Sequence, residues 1–551
     1  MPTELETNVL GKPPDSSLGM PDGQSPEVSA WSPLAEPIFR ALWIVSVTSN
    51  IGTLMQNVGA AWLMIALSAS PLMVSLVQTA TNLPVFLLAL PAGALADVFD
   101  RRRILLLTQL WMLAVAAILG IMTLLEVTTP WALLGLTFLL GIGAAANAPA
   151  WQAIVPELVP RPKLFAAVAL NSVGFNLARG IGPALGGLVV AAAGPGVVFL
   201  LNALSFLAVI PALYAWKRPV QKNTLPPEHM FGAILAGARY VRHSSRLTVV
   251  FLHAAIFSFF GSPLLALLPL LAQQILGLGS IGYGLLLGAF GVGAIFGAMF
   301  LPRVRKNISL DSLVRTGILL FAAGMVASAN LKSFIGMAGV MILAGAAWLA
   351  IFSSFNTSIQ VAVPSWVRGR AIAFFLLTFF GGMAGAGVFW GAVAETLGVP
   401  LTFLATAAGL AISVLATWRY RFKTDKQRDL TPSRDWPEHI LGIDPHPESG
   451  PVLVTVEYHI EKEKWREFTK AISSLGRMRR RTGARRWDLF QDPADPSRYV
   501  VTFLIESWVE HLRQHERFTV TDRQILEHVR SFQVGSGDPF VSHFIHADNG
   551  G

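Results

Sequence analysis

Twelve apolar runs follow one another between residues 38 and 420 of this 551-residue chain. Each approaches the roughly 20 residues that an α-helix needs to cross about 30 Å of hydrocarbon. The runs therefore predict an all-α polytopic membrane protein with twelve transmembrane helices. Composition agrees with this, since 14% of the residues are charged, whereas soluble proteins have about 25%.

The connections between the runs are short, and composition divides the chain into six segments. The predicted spans are 38–66, 72–96, 103–125, 130–155, 164–193, 197–216, 247–274, 280–301, 311–330, 333–361, 368–394 and 398–420. The predicted segments are a disordered cytoplasmic tail at 1–37, an N-terminal six-helix half at 38–216, a cytoplasmic loop at 217–246, a C-terminal six-helix half at 247–420, a linker at 421–450 and a soluble domain at 451–546.

The two halves repeat one another. Gln152–Val159 follow the fourth span and match Gln360–Val367, which follow the tenth. Such a match indicates two parallel halves related by a pseudo-twofold axis along the membrane normal. The even-numbered connections hold sixteen Lys and Arg residues, whereas the odd-numbered ones hold one, Lys332. Because short basic loops stay cytoplasmic, both termini are expected on the cytoplasmic side of the inner membrane.

After residue 450 the apolar runs give way to the patterns of a soluble domain. Alternation predicts strands at Val452–Ile460, Arg485–Gln491, Arg498–Ile505 and Asp538–His546, and helical periodicity predicts helices at Lys462–Arg481 and Ser507–Phe532. This β-α-β-β-α-β order is that of an α+β ferredoxin-like domain. Because acids and bases balance in the domain, the basic stretch 477–486 is interpreted as a solvated face near anionic lipid, and no nucleic-acid partner is expected.

The connection between the second and third spans combines a glycine, two acids and three bases at fixed spacing: Gly93, Asp97, Asp100, Arg101, Arg102 and Arg103. Glycine lets two helices approach closely, and an aspartate at a helix end can meet the positive N-terminus of another helix. The motif resembles the signature loop of the major facilitator superfamily. The resemblance implies a clamp that holds the cytoplasmic ends of the two halves together and opens during transport.

The fifth span carries a second motif, Gly182, Pro183, Gly186 and Gly187. It resembles the C-terminal part of a motif found in antiporters of the superfamily, with Ala178 where an earlier glycine is usual. Glycine and proline make a kinked, closely packed helix that can change shape. We interpret the motif as a gate, with tight packing alone as the alternative.

Arg179, also in the fifth span, lies roughly 22 Å along the helix from its cytoplasmic start. A charge at this depth is expected to face a cavity or a partner, so Arg179 is a candidate for holding an anionic substrate group or for ion coupling; a structural contact is the alternative. Polar stripes extend the substrate or coupling candidates to Asn50, Asn57, Asn82, Asn176, Asn356 and Gln360. Hydrogen bonds between helices would explain such stripes equally well.

Three phrases, Gly52–Trp62, Pro149–Pro160 and Gln360–Arg370, resemble the enterobactin-exporter-like branch of transmembrane secretion effectors. That resemblance implies export of a siderophore, a drug or another small amphiphile. The soluble domain resembles the antibiotic biosynthesis monooxygenase-like module, a fold that pairs into dimers; Trp508 and His511 belong to the matching stretch. Its first strand lacks the asparagine of catalytic members, so a dimerising or regulatory role is expected in place of an enzyme.

The sequence thus predicts a secondary active exporter that works by alternating access. It contains no Walker loop, so coupling to protons is expected, with no cofactor and no metal. An importer and a membrane-tethered, cofactor-free oxygenase are the alternatives. The expected partners are the small-molecule substrate, the lipid bilayer, protons and a second copy of the chain, bound through the C-terminal domain.

Overall fold

The computed structural model describes residues 29–216, 230–420, 429–431, 433, 446, 449–535 and 537–546. Within these ranges twelve helical segments are long and apolar enough to cross a membrane. The predicted fold of twelve transmembrane helices is therefore confirmed. The first six spans are α1 (Pro37–Leu67), α2 (Pro71–Val98), α3 (Arg101–Leu124), α4 (Pro130–Leu158), α5 (Leu164–Ala193) and α6 (Pro195–Ala215).

The second six spans follow a short helix, α7 (Met230–Arg242), that ends the predicted inter-half loop. The seventh span is broken into α8 (Ser245–Gly261), α9 (Pro263–Ala266), α10 (Leu268–Leu270) and a π-helical turn at Leu271–Ile275. The span is broken because Pro263 and Pro269 each remove a helical hydrogen bond. The others are α11 (Ser280–Asn307), α12 (Leu310–Asn330), α13 (Phe334–Ala362), α14 (Ser365–Leu397) and α15 (Val399–Ala416).

The bundle has two chemically different ends. Connections 99–100, 159–163, 243–244, 308–309 and 363–364 lie at what we call the basic end, and 68–70, 125–129, 194, 276–279, 331–333 and 398 lie at the neutral end. The repeat is visible in the backbone, since Gly194 after α5 and Gly398 after α14 both take a positive φ, of 81° and 76°. Only glycine adopts such a conformation without strain.

The two halves meet chiefly along two pairs of helices, α2 with α14 and α5 with α11. In each pair one helix comes from each half. Small residues allow the close approach: a Cβ atom added to Gly187 in α5 would lie 3.1 Å from the carbonyl carbon of Ser280 in α11, and one added to Gly387 in α14 would lie 2.9 Å from the carbonyl oxygen of Ser75 in α2. Such packing is the usual basis of helix association in membranes.

The C-terminal domain is a four-stranded antiparallel sheet of order β2-β3-β1-β4. Its elements are β1 (Val452–His459), α16 (Trp465–Thr482), β2 (Arg486–Gln491), β3 (Arg498–Ile505), α17 (Trp508–Glu516), α18 (Val520–Arg530) and β4 (Phe540–Ile545). The ferredoxin-like prediction is confirmed, but the helix predicted at Ser507–Phe532 is two helices. Thr519 starts the second one with a capping box to Asp522, which satisfies the first amides of α18.

The C-terminal domain contacts α7 and the start of α14 through a set of side chains that we call the joint. The joint comprises Arg239, Tyr240 and Trp366 of the membrane part and Arg481, Gly483, Glu510 and Arg517 of the C-terminal domain. Arg239 donates to the carbonyl oxygen of Gly483 at 3.2 Å and lies 4.0 Å from Glu510. The guanidinium of Arg517 lies 4.6 Å from the centre of the Trp366 ring, a favourable cation–π geometry.

Candidate functional site

A cavity of about 230 Å³ lies between the two halves, in the middle of the bundle. Its first-half walls come from α1, α2 and α5, and its second-half walls from α9, α10, α11 and α14. The walls are mostly apolar, and their polar side chains are Asn57, Gln78, Thr81, Asn82, Arg179 and Tyr283. A mostly apolar pocket with a few convergent polar groups is the usual form of a small-molecule site.

Arg179 is the cation of this cavity. It lies fifteen residues into α5, which runs from Leu164 to Ala193, so the membrane midplane falls close to it. The guanidinium lies 5.4 Å from the centre of the Phe175 ring. Among the described residues, no acidic side chain lines the cavity. The site therefore offers a positive charge to a solute.

The second-half wall offers an aromatic surface, and α2 of the first half offers a hydrogen-bond acceptor. Tyr283 stacks against Trp62, with ring centres 6.2 Å apart and planes 19° apart. The Oε1 atom of Gln78 is buried and has no hydrogen-bond donor within the part of the chain that the structure describes. A buried acceptor left without a donor costs free energy, so a solute that donates a hydrogen bond there would be favoured.

At the neutral end the cavity is closed by hydrogen bonds between the halves. Ser75 Oγ donates to the carbonyl oxygen of Gly387 at 2.7 Å, and Thr79 Oγ1 donates to that of Ala384 at 2.9 Å. On the other helix pair, Ser280 Oγ donates to the carbonyl oxygen of Gly187 at 3.0 Å. We call these three bonds the neutral-end seal. Two of their donors belong to a polar stripe on α2, which supplies both the seal and the cavity wall.

Glu395 adds a charged contact beyond the seal. Its Oε2 atom accepts from Ser70 Oγ at 2.7 Å and from the backbone amide of Leu72 at 3.3 Å. Ser70 is the N-cap residue of α2 and Glu395 lies in the last turn of α14, so the carboxylate of one half caps a helix of the other. A negative charge is favourable at a helix N-terminus. We call this contact the Glu395 latch.

The predicted gate residues occupy the interfaces around the cavity. Gly182 and Gly186 face α1, where an added Cβ would lie 2.9 Å from Leu54 and 2.8 Å from Met55 respectively. Gly187 faces α11 of the other half and belongs to the seal. Pro183 lines the cavity. Gly187 thus lies at the contact between the halves, whereas Gly182 and Gly186 pack within the first half.

Two of the predicted clamp arginines bond within the first half. Arg101 donates to Glu157 at 2.8 Å and to the carbonyl oxygen of Ala153 at 3.0 Å. Arg102 donates to the carbonyl oxygens of Leu213 and Tyr214 at 2.9 and 2.5 Å. These bonds tie the start of α3 to the ends of α4 and α6.

The other clamp residues lie around the turn between α2 and α3. Asp100 caps α3 by accepting from the backbone amide of Arg103 at 3.0 Å. An added Cβ at Gly93 would meet no described atom within 4 Å, so within the described part of the chain no close helix contact depends on this glycine. Asp97 belongs to α2, and its side chain lies outside the described residues.

Three of the seven substrate or coupling candidates, Asn57, Asn82 and Arg179, meet in the cavity. The other four do not line it: Asn50, Asn176, Asn356 and Gln360. Each of these has a partner on its own helix, as with Asn176, which donates to the carbonyl oxygen of Ser172 at 2.9 Å, and Gln360, which donates to Asn356. Asn50 lies 3.5 Å from Ser46 Oγ.

Sequence reasoning missed Tyr283 and the Glu395 latch. The only available signal for the latch was that Glu395 is the one acidic residue between Asp311 and Asp425. Tyr283 stands in a glycine-rich turn of α11 and is one of 6 tyrosines in the chain. Neither sequence feature indicates which residue of the other half Glu395 or Tyr283 contacts.

Comparison with known proteins places these features in a family. A family model described as transmembrane secretion effector matches residues 28–550. The chain belongs to this family. The matched range includes the C-terminal domain as well as the twelve spans. The name of one relative, given below, places that protein among the transporters of the major facilitator type.

Two relatives of this secretion effector are named after the compound they transport. The enterobactin exporter EntS of Salmonella typhi is 29% identical over 345 residues, which are 61% of this chain and 80% of the exporter. The staphyloferrin A transporter of Staphylococcus aureus is 26% identical over 281 residues, which are 50% of this chain and 70% of that transporter. An uncharacterized transporter of the major facilitator type, YfiS of Bacillus subtilis, is 28% identical over 371 residues, covering 64% and 85% of the two chains.

Solved structures share the fold of the membrane part. The nucleoside transporter NupG superposes with a TM-score of 0.55 at 15% identity and covers 70% of this chain and all 100% of its own. A bacterial homolog of the human lysosomal transporter Spinster has a TM-score of 0.55 at 16% identity and covers 70% and 97%. At these identities the likeness concerns the fold, which is that of the major facilitator transporters.

Proposed function

We propose that this secretion effector exports a small anionic amphiphile of the siderophore type by alternating access. The observation that carries the proposal is the cavity between the halves, with Arg179 on one wall and Tyr283 on the other. An arginine at the midplane is costly unless it faces a cavity or a partner, and a bound anion offsets that cost. The names of two relatives, which refer to enterobactin and staphyloferrin A, support a small organic solute.

Alternating access requires one end of the bundle to close while the other opens. The neutral-end seal and the Glu395 latch join the halves at the neutral end. We assign the basic end to the cytoplasm, because short basic loops remain there. The described conformation is then the one closed toward the outside, ready to receive a solute from the cytoplasm.

Energy comes, in this proposal, from the proton gradient, since the sequence has no Walker loop. The described residues of the cavity walls include no carboxylate, so the proton-binding group is proposed to lie at a helix end. Glu395, whose latch joins the two halves, is the carboxylate whose contacts would change when the neutral end opens and closes.

The test is uptake of labelled enterobactin into inside-out vesicles that contain the full chain. An acidic vesicle interior should drive accumulation, and collapse of the pH gradient should abolish it. R179M should reduce the rate at least about tenfold, as expected for loss of one charge-assisted contact, whereas R179K should retain part of it. R40M, which removes an exposed arginine at the start of α1, is the matched control.

Each outcome addresses one part of the proposal. Accumulation that is unchanged without a pH gradient would refute proton coupling. Equal rates for R179M and R40M would refute the assignment of the site. Concentrative uptake in right-side-out vesicles alone would favour an importer.

We further propose that two copies associate through the outer face of the C-terminal sheet. Phe490, Phe540 and Phe544 are 53%, 68% and 55% exposed, and Leu453 lies beside Phe544 in the paired register. Exposed apolar patches of this kind mark interaction sites, and an open sheet face repeated in a second copy offers a self-complementary partner. The domain is then an assembly element, and substrate-dependent oxygen consumption by the full chain would contradict this view.

Native mass spectrometry of the full chain in detergent tests the dimer. The wild-type protein should be dimeric, and the double change F540E with F544E should give monomers. K462E, on the exposed turn before α16, serves as a control for added negative charge. A monomeric wild-type protein would refute the proposal.

A further inference from the structure

The clamp motif of the first half has a counterpart in the second half, and the two differ in charge. Arg101 stands eight residues after Gly93, and Arg305 stands eight residues after Gly297. Both arginines bond to the helix that begins the second hairpin of their half, α4 for Arg101 and α13 for Arg305. Arg101 finds a carboxylate there, since it pairs with Glu157 at 2.8 Å.

Hydroxyl groups take the place of that carboxylate in the second half. In the match between the two halves, Ser365 stands where the first half has its glutamate. Nη1 of Arg305 donates to Thr357 Oγ1 at 3.2 Å. Nη2 donates to the Oγ atoms of Ser353 and Ser354, each at 3.3 Å. Among the described residues no carboxylate pairs with Arg305, so the second half has kept the arginine and lost its counter-ion.

The three hydroxyls hold the guanidinium in place but do not neutralise it. Ser354 and Thr357 each donate their own hydroxyl hydrogen to a backbone carbonyl oxygen of α13, at 2.6 and 2.8 Å. Ser353 Oγ has no acceptor within the part of the chain that the structure describes, and neither has the buried Nε atom of Arg305. A half-buried cation without a counter-ion is unfavourable, and an anion beside it would offset that cost.

Arg305 lies on the face of α11 that lines the membrane cavity. Leu287 belongs to the cavity wall and stands eighteen residues before Arg305, which is five turns of an α-helix, so the two residues share one face. At 1.5 Å per residue, Arg305 lies about 27 Å from Leu287 toward the basic end. Gln360 is exposed and lies one turn beyond Thr357 on α13. A solute that moves from the basic end to the cavity would therefore pass Arg305.

We propose that Arg305 and Ser353 form an entry site at the basic end, which binds the oxyanion of the exported solute before the solute reaches Arg179. This assignment rests on the proposed function, because it requires the solute to enter from the basic end. A guanidinium beside a hydroxyl donor suits a carboxylate, sulfonate or phosphate group, and such a pair is a charge-assisted contact. Benzenesulfonate is a simple probe of this chemistry, and benzenesulfonamide is its neutral counterpart of nearly the same shape.

Protection of a single cysteine measures occupancy of the entry site. The chain has no cysteine, so Q360C gives the full chain one thiol beside the site, in nanodiscs of phosphatidylcholine. At constant ionic strength, benzenesulfonate should slow the reaction of this thiol with N-ethylmaleimide, a neutral reagent, whereas benzenesulfonamide should not. R305M should raise the benzenesulfonate concentration needed for protection at least about tenfold, because one charge-assisted contact is lost. R303M, which removes an exposed arginine two residues earlier, should leave protection unchanged.

Lipid composition and transport distinguish the solute from a lipid headgroup. If phosphatidylglycerol in the nanodisc protects the thiol without added solute, and R305M removes this protection, the site holds a lipid phosphate and the entry assignment is overturned. In the vesicle assay, R305M should raise the enterobactin concentration at half-maximal rate at least about threefold, with a maximal rate close to that of R303M, as expected for lost binding. A lower maximal rate at unchanged half-saturation would mean a structural role and would also overturn the assignment.

Thermal unfolding shows whether each variant still folds. If R305M does not fold, S353D decides the question, because it keeps Arg305 and places a carboxylate beside the guanidinium, which should remove protection by benzenesulfonate. Protection that is equal in these variants and in the parent would overturn the entry site. Arg305-dependent protection together with normal transport by R179M would support the entry site and refute the cavity assignment. Arg305-independent protection together with impaired transport by R179M would do the reverse.

Discussion

The Glu395 latch can be weakened without changing its shape by the substitution E395Q. The glutamine side chain keeps an oxygen that can accept from Ser70 and from the amide of Leu72, but it removes the negative charge from the N-terminus of α2. Because the latch joins the two halves at the neutral end only, the conformation closed at that end should lose stability relative to the conformation open there.

The size of the effect follows from the contact. A charge-assisted hydrogen bond is about twice as strong as a neutral one, and a charge at a helix N-terminus contributes about 0.3–1 kcal/mol. Glu395 is exposed, so solvent screening reduces both contributions. We expect E395Q to shift the equilibrium by about 1 kcal/mol, which corresponds to about fivefold in the ratio of closed to open molecules.

The absence of cysteine from the chain makes the measurement direct. Single cysteines at Val127 and Leu397, which are 57% and 52% exposed, place one spin label on each half at the neutral end. Pulsed electron paramagnetic resonance then gives the distribution of distances between the halves. E395Q should transfer population from the short distance to the long one.

Glu126 provides the control, because it is an exposed carboxylate at the same end on the connection between α3 and α4. E126Q should leave the distance distribution as in the parent. If E395Q also leaves it unchanged, the latch does not contribute to closure and the assignment is wrong. An equal shift with both variants would mean that general surface charge, and not the latch, sets the equilibrium.

Two further substitutions test the packing between the halves and the ion pair at the basic end. G187A places a methyl group against the backbone of α11. This overpacking costs about 1–3 kcal/mol and should favour the open neutral end in the same distance measurement. G385A is the control, because a Cβ there would meet no described atom within 4 Å, and it should have no effect. E157Q removes the carboxylate that pairs with the guanidinium of Arg101 and should lower the free energy of unfolding by about 1–3 kcal/mol, measured by thermal denaturation. E36Q is the control, because Glu36 pairs with Lys163 and these two side chains are 33% and 29% exposed. It should lower the free energy of unfolding by about 1 kcal/mol or less. Equal melting temperatures for E157Q and E36Q would contradict the second expectation.

The twelve spans could be predicted from sequence because bilayer thickness fixes the length of each apolar run. Arg179, Asn57 and Asn82 could be singled out because polar side chains within such runs need a partner or a cavity. The latch could not be foreseen, since Ser70 and Glu395 are 325 residues apart and no local pattern states which helices of the two halves adjoin.

The break in the predicted helix at Ser507–Phe532 has a different explanation. The apolar periodicity continues across the break, so periodicity alone joins α17 to α18. The capping pattern of Thr519 and Asp522 was present in the sequence and marks the start of a helix. Local capping chemistry was the better guide here than hydrophobic period.

The joint connects the C-terminal domain to the moving parts of the bundle. Arg481 and Arg517 of the joint lie over the rings of Tyr240 and Trp366, and Trp366 lies at the start of the helix that ends in the Glu395 latch. If pairing of two C-terminal domains changes the balance between the two conformations of the bundle, thermodynamic reciprocity requires the same factor in reverse. The affinity of the two copies for one another would then report which way the transporter faces.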